Sequence, residues 1–260
     1  ATPDISDATN AITVSINPRI TSATYDASSG SLAVTGTNLQ ANGGGFDIDA
    51  SKLTFTGEGS ATYTLTDSAD VEITSGTAFT VTLSATDKAA INQIVNKNGA
   101  ASTGGTTYNL AAADDWDTNV TTGDTSDASG NGITASNVAA PAITSATYNA
   151  STGALVVTCT GLLKSSGAAN DIDASKFTFT GEGGSTYTLI DSTDVEITSG
   201  TAFTVTLSST DKAAVNQIVN KNGTASTDAT TYNLATAEDW AAGANAAVNV
   251  VDASGNGITT

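Results

Sequence analysis

The chain has 260 residues, 13% of them charged; 8 Lys and Arg stand against 26 Asp and Glu, for a formal net charge of −18. A chain so poor in basic residues has no surface that neutralises phosphates, which argues against nucleic acid and against anionic membrane surfaces as partners. It has no histidine and one cysteine, which excludes Ser-His-Asp and Cys-His catalysis, histidine metal centres and an intrachain disulfide.

The chain is two copies of one unit. Val71 to Leu83 (VEITSGTAFTVTL) recurs unchanged at Val195 to Leu207, and Asp47 to Gly59 recurs at Asp171 to Gly183 with one change. The offset is 124 residues in the middle of the unit, 123 before the loop near Gly43 and 125 at the closing DASGNGIT, so length differences fall in loops. A repeat at fixed period governs the reading of the whole fold. Tandem copies supply length, spacing or valency, and a catalytic site rarely needs two near-identical copies in series.

Residues 1–19 form an N-terminal orphan strand. Asp7 to Ile20 lines up, with gaps, with Asp127 to Ile143 at the end of the first unit. Ala11, Ile12, Thr13, Val14, Ser15 and Ile16 thus read as a closing strand with no unit before it, and Gly257, Ile258, Thr259 and Thr260 as a shortened closing strand. Two explanations stand side by side. The strand marks a segment cut from a longer array, or it completes the second unit of a neighbouring chain by strand addition, which builds an open filament.

The first unit, residues 20–140, opens with ITSATY after Pro18. Leu53 and Phe55 alternate with threonines in Lys52–Thr56, as do Thr62–Leu65 and Phe79–Leu83. This period of two predicts half-buried strands. Turn clusters at Asp26–Gly30, Gly57–Gly59, Ser75–Gly76 and Asp127–Gly132 separate them, giving about seven strands per unit. Thr86–Val95 breaks the pattern. It reads as a helix with Thr86 as N-cap, Ile91, Ile94 and Val95 on one face and Asn98-Gly99 as the stop. The second unit, residues 141–260, repeats all of this after Pro141, its helix lying between Thr210 and Gly223. The short boundary near Ala140-Pro141 predicts closely stacked units.

The ITSATY opening at Ile20 and Ile143, the VTGT or VTCT strand (Val34–Thr37, Val157–Thr160) and the closing D-x-S-G-N motif resemble bacterial immunoglobulin-like tandem repeats. These occur in giant adhesins, S-layer-like proteins and swimming-motility-type surface proteins. The resemblance implies an all-β fold of two tandem immunoglobulin-like β-sandwich domains, each here with one short inserted helix. It also implies a secreted, extracellular or cell-surface protein, often calcium-stabilised, serving as stalk, coat or adhesive fibre.

Asp127, Ser129 and Asn131 place oxygen side chains at positions 1, 3 and 5 of a loop with Gly132 at position 6, like the opening of an EF-hand loop. Val138 stands where that loop needs a glutamate, so the motif reads as a calcium turn completed by Asp114, Asp115, Asp117 or Asp124, or as an ordinary Asx turn. Asp252 to Gly257, with Glu238 and Asp239 near in sequence, is the weaker second copy. The pairs Asp47/Asp49 and Asp171/Asp173 put two carboxylates on one face of an extended segment, inviting a cation; the other reading is a solvated loop. As a glycosidase pair they lie too close in sequence. Trp116 and Trp240 read as core or interface anchors, with stacking on sugar as the alternative. Cys159, in register with Leu155 and Val157, reads as a small core residue. Gly43-Gly44-Gly45 lacks the lysine of a phosphate loop.

The expectation is a non-enzymatic structural subunit of an extracellular filament or coat, its partners other copies of itself joined head to tail. A calcium-dependent adhesin stalk, or a module binding host or surface glycans, is the alternative. No run is long and apolar enough for membrane insertion.

Overall fold

The computed structural model describes residues 17–42, 44–121, 123–165, 167, 171–197, 199–244 and 249–260. The first repeat contains β1 (Arg19–Asp26), β2 (Ser31–Thr37), β3 (Leu53–Thr56), β4 (Thr62–Thr64), β5 (Ala78–Thr82), α1 (Ala85–Ile94), β6 (Asn109–Ala112) and β7 (Ile133–Ser136). The second contains β8 (Ala142–Asn149), β9 (Ala154–Thr160), β10 (Phe177–Thr180), β11 (Thr186–Thr188), β12 (Ala202–Thr206), α2 (Ser209–Ile218), β13 (Asn233–Thr236) and β14 (Ile258–Thr259). The molecule is thus all-β and sandwich-like, with two short helices among the described residues.

Four sheets form, with orders β5-β2-β1-β7, β4-β3-β6, β12-β9-β8-β14 and β11-β10-β13. Pairing is antiparallel except where β7 lies parallel to β1 and β14 parallel to β8. In each repeat the inward side chains of the two sheets meet. Tyr25 of β1 packs edge-on against Phe55 of β3 at 5.6 Å, and Tyr148 of β8 against Phe179 of β10 at 5.5 Å. Buried residues fall into two clusters, one from Ile20 to Ala135 and one from Ile143 to Ile258. Each repeat therefore carries its own core.

The alternation that predicts the strands is what packs them. Leu53, Phe55, Phe79 and Val81 are buried, and the threonines between them face outward. One irregularity interrupts β1, where the register with β2 shifts between Ile20 and Ser22. Thr21 is the extra residue of a bulge, its hydroxyl donating to Thr35 O at 3.0 Å. Thr144 repeats this on β8, donating to Thr158 O at 3.0 Å.

The helix starts earlier than the sequence predicts. Ser84, not Thr86, is the N-cap, because its hydroxyl accepts from Asp87 N at 3.0 Å. Ser208 does the same for Asp211 in α2. Gly57 ends β3 against the far end of α1, where a Cβ would lie 2.3 Å from Ile94 O. That close approach is the reason for glycine there. No helix among the described residues is long and apolar enough to cross a membrane.

Cys159 takes the core-facing place expected of it, 2% exposed on β9. Burial, with a smaller push from Asp252, raises its thiol to about 12. Labelling by a disulfide reagent at pH 8 is expected to run at least about 100-fold slower than for a free thiol, whose ordinary value is near 8.5. Full reactivity should return in denaturant, measured by absorbance of the released thiolate; fast labelling of the native protein would contradict this burial.

Candidate functional site

The closing motif is the first candidate, and its aspartate and asparagine side chains are bonded within the fold. Asp127 Oδ2 accepts from Ile20 N at 2.8 Å, tying the start of β1 to the turn before β7. Asn131 Nδ2 donates to Leu110 O at 3.0 Å and to Asp127 O at 3.1 Å, and Ser129 is exposed on the turn. In the second repeat Asp252 Oδ2 accepts from Ile143 N at 2.8 Å, and Asn256 Nδ2 donates to Leu234 O. Asp114 Oδ1 accepts from Thr125 N at 2.7 Å and Asp124 Oδ1 from Ser126 N at 2.9 Å, bonds that hold both carboxyls below the usual carboxylate range. Asp117 lies elsewhere, beside Asp47.

That second group is more enclosed. Asp47 Oδ1 accepts from Asn119 Nδ2 at 2.7 Å and Asn42 N at 3.0 Å, and its Oδ2 from Ile73 N at 2.9 Å. Burial opposes ionisation of Asp47, but these donors outweigh it and its carboxyl is held down. Asp117 Oδ2 accepts from Gln40 N at 2.9 Å. Burial, with the Asp47 charge adding to it, pushes the Asp117 carboxyl up. Asp49 serves a different purpose, capping the turn at Ala50 through Ser51 N at 3.0 Å. In the second repeat Asp173 caps in the same way and Asp171 accepts from Ser165 N and Ile197 N. Lys164 supplies a cation there, 2.9 Å from Glu196 and 3.8 Å from Asp171. Among the described residues no three Asp, Glu or Cys side chains come close enough together to hold a metal ion.

The most heavily bonded carboxylate stands in the first turn of α1. Asp87 is fully buried. Its Oδ1 accepts from Tyr63 OH at 2.8 Å, Thr66 N at 3.0 Å and Thr66 Oγ1 at 3.1 Å, and its Oδ2 from Asp67 N at 3.1 Å and Ser68 Oγ at 2.6 Å. It joins α1 to the segment after β4. Asp211 repeats the arrangement with Tyr187, Ile190, Asp191 and Ser192. The signal was present as Ser84-x-x-Asp87, a capping pattern that starts two residues before Thr86. Both tryptophans are buried anchors, Trp116 Nε1 donating to Thr125 O at 2.8 Å and Trp240 Nε1 to Val250 O at 2.7 Å.

The strand-addition residues divide. Ala11, Ile12, Thr13, Val14, Ser15 and Ile16 lie outside the described residues. Gly257–Thr260 are already paired on two sides by their own chain. Ile258 and Thr259 pair with Ala146 and Thr147 of β8. On the other side Gly257 bridges Asn233, and Thr260 N donates to Gly223 O at 2.9 Å.

The two repeats also meet. Lys164 N donates to Gln93 O at 3.0 Å, Asn96 Nδ2 donates to Lys164 O at 3.0 Å, and Thr103 Oγ1 donates to Gly243 O at 3.0 Å. Asn96 is fixed for this role by its own neighbours, Glu58 Oε2 at 3.0 Å and Thr103 N at 3.0 Å. The bonds across the junction end on main-chain atoms of the second repeat. The junction thus fixes the two repeats to each other. Comparison with protein-family models and with curated proteins finds no match to this chain.

Proposed function

We propose that this chain is a structural subunit of an extracellular bacterial filament or surface coat, built of immunoglobulin-like units joined head to tail. The observation that supports this best is the junction, where Asn96 Nδ2 donates to Lys164 O and Thr103 Oγ1 to Gly243 O, each at 3.0 Å, so that one unit is seated directly on the next.

In this reading an N-terminal strand from the next chain, centred on Ala11–Ile16, adds to a sheet edge of the second repeat, with main-chain bonds supplying the attachment. Since Gly257–Thr260 are already paired on two sides, the added strand does not lie against them. Deletion of residues 1–17 is expected to abolish filaments in negative-stain electron microscopy while leaving the melting of the subunit intact. Filaments of normal number and length without those residues would sink the strand-addition mechanism. Glycan binding lost on chelation would instead favour the calcium-dependent adhesin.

A further inference from the structure

We draw no further inference here: the strongest candidate, the apolar groove of about 260 Å³ between the two repeats, bordered by Ala89, Asn92, Val138, Leu162 and Gly200, carries nothing because nothing in the structure shows what covers it.

Discussion

Asp87→Ala is expected to destabilise the first repeat by about 3–5 kcal/mol, the range seen when one partner of a buried charged network is removed. The reason is the set of donors left behind. Thr66 N, Asp67 N, Tyr63 OH and Ser68 Oγ all point at this carboxylate, and a buried donor without an acceptor keeps its full desolvation cost. For a repeat of about 120 residues this lowers the melting temperature by roughly 10–20 °C, read by differential scanning calorimetry. Asp211→Ala should cost less, since Ile190 replaces Thr66 and one hydroxyl donor is missing. Equal losses at the two positions would show that the hydroxyl contributes nothing.

The same group sets a pH dependence. Burial alone would raise the Asp87 carboxyl, but its bonds from Ser68, Thr66, Tyr63 and Asp67 carry it well below the usual range. A depressed carboxylate contributes stability that is complete above its unfolded value, near 3.9, and that drains away as pH falls through the folded value. Below about pH 4 the native chain should therefore lose stability more steeply than Asp87→Asn, whose amide does not titrate over that range. Parallel acid limbs in denaturant titrations would contradict this.

Trp116→Ala is the second large effect, expected at about 3–5 kcal/mol. The indole is completely buried, lies 6.0 Å from the Phe79 ring and satisfies Thr125 O. Truncation removes that packing and leaves a buried carbonyl without its donor. The two clusters of buried residues are separate, so the loss should appear in one transition of a calorimetric scan while the transition of the second repeat moves little. Trp240→Ala should reverse the pattern. There the indole touches both Phe177 at 5.7 Å and Phe203 at 6.1 Å, where the first repeat has Leu53 in place of Phe177. A single transition falling as one for either variant would mean that the junction couples the repeats completely.

What the sequence made legible was whatever depends on local alternation. Leu53/Phe55 and Phe79/Val81 announce strands because each inward residue is flanked by outward threonines, and Trp116 and Cys159 declare themselves by size and polarity. The Thr21 bulge was hidden because it breaks the period on which the strand reading depends. Asp87 was hidden for a different reason: aspartate is ordinarily a surface residue, and its burial is made tolerable by donors about 20 residues away. Asp127 shows the limit most clearly. The same oxygens at positions 1, 3 and 5 serve a cation or an internal N–H, and here the partner of Asp127 is Ile20 N, 107 residues distant in the chain. Spacing within a loop carries no trace of that partner. The junction was legible only as closeness; that it runs through Asn96, Glu58 and main-chain atoms of Lys164 and Gly243 follows from the fold.

The parallel pairing of β1 with β7 has a mechanical consequence. The chain enters the first repeat on β1 and leaves it on β7, and the two strands point the same way. Tension along the chain therefore pulls these neighbours past each other, loading Ala23–Ile133 through Asp26–Ser136 together in shear. Bonds loaded side by side must break as a group, whereas a hairpin pulled open from its ends surrenders them one at a time. The Asp127 carboxylate, bonded to Ile20 N at the entry of β1, clamps the end of that pair. A repeat wired this way resists stretching along the direction in which a load would reach it.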